Sequence, residues 1–161
     1  MTIEVRPIRP GEGGSLLAMV RVLAESHGFL DKQTATADDL ERALFAEQPI
    51  VGCLLAFIDG VPAGCAFWHR SFTTARGQEV IYLEDLSVLP EFRRKGVARA
   101  LLKALAGEAK GRGYASIYWL MKSWNEGARA LYAQAGAEFE EGLLLCRLAD
   151  DALARWAETV P

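Results

Sequence analysis

Alternating apolar and polar residues open the chain and then give way to helical spacing. The alternation over residues 3–8 predicts a strand, and Pro7 favours an edge position because proline donates no ladder hydrogen bond. Apolar positions recur at helical spacing over residues 16–24, which predicts a first helix that ends near Gly28. Thr36, followed by two acids, is typical of a helix N-cap and predicts a second helix that runs to about Glu47.

Three apolar runs of strand length occupy the middle of the chain, over residues 50–58, 63–72 and 80–88. The dipeptide Asp59-Gly60 between the first two is typical of a two-residue hairpin turn. A helix and a short strand are predicted next, over residues 97–111 and 116–121.

The end of the chain predicts a short helix followed by strands. Ser123 and Glu126 have the spacing of a capping box, which predicts a helix that continues to Ala135. Two strands and a terminal helical turn or two are predicted after it, at Phe139, residues 143–148 and residues 150–156. The sequence contains no repeat or linker, so we expect one mixed α/β domain over residues 1–161.

Charge and hydropathy exclude several classes of function. The net charge of −3 gives no general electrostatic reason to bind nucleic acid or a membrane surface. No apolar run reaches the roughly 18 residues of a membrane span, and the N-terminus lacks a signal-peptide core. We therefore expect a cytoplasmic protein that binds neither nucleic acid nor membrane.

The cysteines and histidines show no pattern of a metal site. Cys53, Cys65 and Cys146 are widely spaced within apolar runs, so we expect buried, reduced side chains and neither disulfides nor a metal. His27 and His69 have no partner at a recognisable spacing, and structural roles are expected for both.

A basic turn between a strand and a helix is the strongest chemical signal. Three cations and a glycine lie between the apolar run that ends at Val88 and the helix that begins near Val97. Exposed backbone N–H groups and the positive helix N-terminus suit a phosphate-bearing ligand, although basic surface turns are common. The turn is neither a P-loop nor a dinucleotide fingerprint. The residues proposed to bind phosphate are Arg93, Arg94, Lys95, Gly96, Val97 and Ala98.

These residues resemble a known family. Residues 93–98 match the Gln/Arg-x-x-Gly-x-Gly/Ala turn of the Gcn5-related N-acetyltransferase (GNAT) superfamily, which binds the pyrophosphate of acetyl-coenzyme A. Residues 124–137 resemble the second motif of that superfamily, and residues 81–85, Ile-Tyr-Leu-Glu-Asp, resemble its diamine (spermidine/spermine) branch. The resemblance implies the acyl-coenzyme A N-acyltransferase fold, a mixed, mostly antiparallel sheet flanked by helices, with splayed central strands.

The resemblance also implies how the cofactor is held. The strand around Leu86, Ser87 and Val88 is expected to carry a β-bulge and to splay away from the strand at 116–121, leaving backbone groups for the pantetheine arm. Arg99 and Asn125 are further expected cofactor contacts, and helix capping is the alternative role for Asn125.

Two catalytic residues follow from the same resemblance. Tyr132 is the expected general acid, since a phenol is protonated at neutral pH and can donate to the departing thiolate. Glu84 is the expected base, directly or through water, because an alkylammonium must lose a proton before it attacks a thioester. Alternation along a strand would turn Glu84 and Asp85 to opposite faces, and Asp85 is assigned to the cationic end of the substrate or to a structural role.

The loop before the Ile-Tyr-Leu-Glu-Asp strand bears on which amine accepts the acetyl group. The loop at 71–77 contains Arg76 and no carboxylate, which disfavours a polyamine and favours an acceptor with its own carboxylate, such as a lysine-like amino acid. Glu25 and Asp31, in the region of the first helix, are the expected contacts of its ammonium groups.

The predicted function is transfer of an acetyl group from acetyl-coenzyme A to a primary amine of a small molecule, polyamine- or lysine-like, by direct attack in a ternary complex. The alternatives are acetylation of a protein lysine or N-terminus, and a non-catalytic acyl-coenzyme A sensor. The resemblance further implies a homodimer.

Overall fold

The computed structural model describes residues 1–158. The chain divides into two compact units, and the boundary along the sequence lies between Lys122 and Ser123. In the first unit the strands are β1 (Ile3–Pro7), β2 (Val51–Ile58), β3 (Val61–Thr73), β4 (Gln78–Val88) and β5 (Ile117–Tyr118). Its helices are α1 (Gly13–Ser26), α2 (Ala37–Leu44) and α3 (Val97–Gly111), with 3-10 turns at Leu30–Lys32 and Pro90–Phe92. The second unit contains α4 (Glu126–Gln134) and α5 (Asp150–Glu158).

The five strands form one sheet in chain order, with β1 at the edge that Pro7 predicts. Strands β1 to β4 pair in antiparallel fashion, and β5 pairs in parallel with β4. Asp59 and Gly60 both have positive φ angles, 48° and 83°, as a tight hairpin turn between right-twisted strands requires.

Helices cover both faces of this sheet. Helices α1 and α2 pack on the face that carries Cys53, Cys65 and Phe67, together with Leu16 and Met19 of α1. Helix α3 packs on the other face, where Gly64 allows close approach. A Cβ atom on Gly64 would lie 3.0 Å from the Cγ1 atom of Val97 and 2.7 Å from the carbonyl oxygen of Ser87.

A β-bulge interrupts the pairing of β3 with β4. Phe67 lies opposite Asp85, but the next residue of β3, Trp68, lies opposite Leu83. Glu84 is therefore the extra residue of the bulge. The bulge was expected at residues 86–88, and this position is corrected to Glu84, because residues 86–88 pair with β3 in regular register.

Other boundaries also differ from the sequence predictions. Helix α2 ends at Leu44 rather than near residue 47, and β5 has two residues rather than six. The N-cap of α4 is Asn125, not Ser123. The predicted strands at Phe139 and residues 143–148 are wrong, since no strand is present there. Cys53 and Cys65 are buried as predicted, whereas Cys146 is exposed.

Within residues 1–158, no helix combines the length and apolar character that crossing a bilayer requires.

Candidate active site

The basic turn has the backbone geometry of an anion-binding loop. Arg94 and Gly96 both have positive φ angles, 61° and 87°, and Gly96 is the N-cap of α3. An added Cβ atom on Gly96 would meet only the Cδ1 atom of Ile3, at 3.7 Å, so the space beside this backbone is open. The first N–H groups of a helix have no partner within the helix and point outward from its end. This backbone geometry suits a negatively charged group.

The cations of the turn are available to a ligand. Arg93, Arg94 and Lys95 are all exposed. The Nε atom of Arg93 donates to the carbonyl oxygen of Val88 at 3.2 Å, which fixes the turn to the end of β4. The Nζ atom of Lys95 lies 5.5 Å from the centre of the Phe92 ring.

One edge of β4 is open in the first unit. Strand β5 pairs only with Ile81 and Tyr82, so no β5 residue pairs with the part of β4 that follows. Leu86 and Val88 lie in this part and are half-buried. This separation agrees with the predicted splaying of the central strands, and it leaves backbone groups of β4 for an extended ligand.

The side chain of Ser87 belongs to the core and does not line this edge. Its hydroxyl is buried and donates to the carbonyl oxygen of Met19 at 2.8 Å, which ties β4 to α1. Only the backbone of Ser87 remains for a cofactor.

The bulge gathers polar side chains on the face of the sheet that α1 covers. Phe67 and His69 are two residues apart in β3 and share this face, and their partners in β4 are Asp85 and Tyr82. Glu84 joins them, with its Oε2 atom 3.8 Å from the Nε2 atom of His69. The expectation that Glu84 and Asp85 point to opposite faces is therefore corrected, because the bulge cancels the alternation between them.

The surroundings of Asp85 at the bulge raise the pKa of its carboxyl group. Burial and, to a smaller extent, the neighbouring Glu84 carboxylate raise the pKa of Asp85 to about 6. The same two causes, burial first, raise the pKa of the Tyr82 phenol. Two carboxylates on one face, one of them largely buried, form a site suited to a cationic group.

The structure gives His69 a partner that the sequence did not predict. Its ring stacks on Tyr82 with centroids 4.9 Å apart, and it faces Glu84. The hairpin between β3 and β4 could have predicted this pairing. Its turn at residues 74–77 sets the register of the two strands and places His69 opposite Tyr82.

Two predicted site residues belong to the second unit. Tyr132 lies in α4 and is buried, and burial raises the pKa of its phenol. Asn125 caps α4, with its Oδ1 atom accepting from the N–H of Ala128 at 3.0 Å. The capping role considered for Asn125 is thus present, and its side-chain NH₂ group is not used by the cap.

The remaining predicted contacts are exposed and scattered. Glu25 lies near the end of α1, and Asp31 lies in the 3-10 turn that follows. Arg76 lies in the turn between β3 and β4, eight residues before Glu84 in the chain, and the six residues 78–83 of β4 separate the turn from Glu84. At about 3.3 Å per residue, this separation is on the order of 20 Å. The structure does not bring Arg76 and Glu84 together.

No group of three or more His, Cys, Asp or Glu side chains that could hold a metal ion occurs in the described part of the chain.

Comparisons with known proteins identify acetyltransferases that are similar to this chain. A thialysine N-epsilon-acetyltransferase of Caenorhabditis elegans is 34% identical over 129 residues, which cover 80% of this chain and 79% of that protein. A human spermidine/spermine N(1)-acetyltransferase-like protein 1 is 27% identical over 154 residues, or 89% of this chain and 22% of that protein. Both relatives confirm the predicted resemblance to the diamine branch.

The fold is also that of a solved structure, an integron cassette protein from V. cholerae. The two chains superpose with a TM-score of 0.77 over 99% of each, at 24% identity. The sequence profile of the acetyltransferase (GNAT) family matches residues 16–137. The chain therefore belongs to the acetyltransferase (GNAT) family, whose acetyl donor is acetyl-coenzyme A.

Proposed function

We propose that this acetyltransferase transfers an acetyl group to the distal primary amine of a lysine-like amino acid. The observation that carries this proposal is the pair of carboxylates, Glu84 and Asp85, on one face of β4 beside an open strand edge. Two carboxylates suit an acceptor with two amino groups, and a relative with 34% identity is named for thialysine, a lysine analogue. A lysine-like acceptor carries both groups on one short chain.

Acetyl-coenzyme A is proposed to bind along the open edge of β4 and across the basic turn. Its pyrophosphate would accept hydrogen bonds from the backbone of residues 94–98, with Arg93, Arg94, Lys95 and Arg99 supplying positive charge. Backbone groups of residues 86–88 would pair with the pantetheine arm, and the amide of Asn125 would contact it. The open space beside Gly96 supports this assignment.

Glu84 is proposed to accept a proton from the acceptor ammonium. An alkylammonium has a pKa near 10, so a base must remove its proton before the nitrogen attacks. Glu84 is half-exposed at the bulge, where an incoming amine can reach it. Asp85, at the same bulge, is proposed to hold the second amino group.

Tyr132 is proposed as the acid that protonates the coenzyme A thiolate. The raised pKa of its buried phenol keeps this group protonated at neutral pH, as an acid requires. The attack is direct: the C–N bond forms as the C–S bond breaks, without a covalent acyl-enzyme. Burial raises the pKa of the Cys53 and Cys65 thiols, which opposes their use as nucleophiles.

Rates of thiol release with a panel of acceptors test this function. We expect kcat/KM for thialysine and lysine to exceed that for spermidine at least about tenfold, a difference of 1.4 kcal/mol in transition-state binding. A preference for spermidine would overturn the lysine-like acceptor. Absence of thiol release with every amine would overturn the enzymatic proposal.

We also propose that the protein is a cytoplasmic homodimer. The support is an exposed apolar segment in the second unit, Leu143, Leu144, Leu145 and Leu148, whose strand-like sequence has no strand partner in the described structure. A second copy would provide such a partner. Light scattering should give twice the mass of 17.6 kDa, and Leu144→Glu should shift the mass toward the monomer.

A further inference from the structure

His69 is held in one orientation beside the proposed base. Its Nδ1 atom lies 3.3 Å from the carbonyl oxygen of Arg70, and its ring stacks on Tyr82 at an interplanar angle of 23°. A carbonyl oxygen can only accept, so Nδ1 carries the hydrogen. The lone pair of the neutral ring is therefore on Nε2, the atom that faces Glu84 at 3.8 Å.

This arrangement places two proton acceptors side by side. A carboxylate oxygen and an imidazole lone pair repel one another unless a proton lies between them. A proton that reaches Glu84 consequently has a second acceptor 3.8 Å away, a gap that one bridging water or a small rotation of either side chain closes. The pair resembles other catalytic arrangements in which a backbone carbonyl fixes the histidine tautomer.

The geometry points to His69 as a positioning residue that relays the acceptor's proton, an inference that rests on the proposed acetyl transfer. Glu84 receives the proton from the ammonium and passes it to Nε2 of His69, which forms an imidazolium paired with the restored carboxylate. Both side chains reach solvent, with exposed fractions of 37% for His69 and 55% for Glu84. The proton then leaves to water.

The protons of the reaction balance with this relay. The ammonium nitrogen carries three hydrogens and the amide product carries one, so two protons leave it. One proton passes through Glu84 and His69 to solvent. The other proton leaves the nitrogen as the C–S bond breaks. It reprotonates Tyr132, which has given its own proton to the thiolate.

Few other charged groups face His69. On β4, Tyr82 and Glu84 contact it directly, and Asp85 lies on the same face. On β2, the residue opposite His69 is Val51, which carries no charge. Asp85 has a pKa of about 6, so it titrates near neutral pH and a pH profile alone would not isolate the role of His69.

The test therefore changes the acceptor rather than the pH. His69→Gln keeps a polar side chain but does not take up a proton. With thialysine, we expect its kcat/KM to fall about 10- to 100-fold, in the lower range of general acid–base effects. With an alkoxyamine analogue of lysine, whose nitrogen is already neutral at pH 7, wild type and His69→Gln should react at the same rate. His27→Gln serves as the histidine control and should match wild type with both acceptors.

Equal losses with both acceptors would show that His69 only maintains the structure, and no loss with either would show that it is not used. Either result overturns the relay while leaving the proposed function intact. A wild-type protein that acetylates neither acceptor would instead overturn the proposed function, and the relay with it.

Discussion

The carboxylates of Glu84 and Asp85 lie on one face of the sheet, although the two residues are adjacent in β4. The bulge at Glu84 produces this arrangement by removing one step of the alternation. Two negative charges in a half-buried position oppose one another, and the pKa of Asp85 rises to about 6 through burial and through Glu84. The site therefore holds unfavourable electrostatic energy until a cation or a proton arrives.

Asp85→Asn should stabilise the free protein at alkaline pH. The pKa of Asp85 is higher in the folded state than the ordinary value of 3.8, so the folded state binds the proton more tightly. Stability then falls as pH rises from about 4 to about 6 and stays constant above that. The full effect is at most about 2–3 kcal/mol.

Denaturant unfolding of both proteins at pH 4.5 and pH 8 measures this effect. Asn resembles the protonated form, so the variant should be more stable than wild type at pH 8, with a much smaller difference at pH 4.5. A variant that is less stable than wild type at pH 8 would contradict the account of the acidic cluster.

Glu12→Gln should weaken the attachment of α1 to the sheet. The Nη1 atom of Arg6 donates to Oε2 of Glu12 at 2.9 Å. This interaction with Arg6 is the main cause that lowers the pKa of Glu12 to about 2. This stability is present above pH 4.5 and is lost as pH falls toward 2. Because the pair is partly exposed, we expect a loss of about 1 kcal/mol at pH 7.

Thermal unfolding at pH 7 and pH 3 tests the ion pair. The difference between wild type and Glu12→Gln should shrink at the lower pH. Glu47→Gln, at an exposed position outside the helices, is the control and should change stability little. A loss that does not depend on pH would mean that the ion pair does not cause it.

Gly96→Ala should weaken acetyl-coenzyme A binding. The φ angle of 87° lies in the left-handed region, where a side chain costs about 1–2 kcal/mol, and relief of that strain would turn N–H groups away from the ligand. We expect Kd by calorimetry to rise about tenfold or more. Gly107→Ala lies within α3 in open space and should leave Kd unchanged while stabilising the helix by up to about 1 kcal/mol. An unchanged Kd for Gly96→Ala would contradict the assignment of the turn.

The sequence predicted the elements that have strong local signals. Thr36 indicated the start of α2, Asp59-Gly60 the hairpin, and Gly96 the turn before α3, and the structure contains all three. Each depends on neighbours within a few residues, which a single sequence displays directly.

Features that depend on pairing between distant residues were missed. The bulge at Glu84 exists only relative to β3, so the strand period alone predicted opposite faces for Glu84 and Asp85. The partnership of His69 and Glu84 likewise requires the hairpin register. Residues 143–148 have the composition of a strand, but a strand also needs a partner to pair with.

Tyr132→Phe should slow acetyl transfer without changing cofactor affinity. Loss of the phenolic proton leaves the thiolate unprotonated as it departs, and we expect kcat to fall about 100-fold, within the range of general acid–base effects. Tyr114→Phe is the matched control, because Tyr114 follows the C-terminal end of α3, away from the basic turn. Equal kcat values for Tyr132→Phe and wild type would exclude Tyr132 as the acid.

The most direct test of the account is the rate of acetyl transfer to thialysine by Glu84→Gln. Glutamine keeps the size and bulge position of Glu84 but does not accept the ammonium proton. We expect kcat/KM to fall at least about 100-fold, with an unchanged Kd for acetyl-coenzyme A. Glu79→Gln, in the same strand but paired with Arg70 at 3.7 Å, should retain wild-type activity. Activity of Glu84→Gln within threefold of wild type would contradict the claim that the carboxylate at the bulge deprotonates the acceptor.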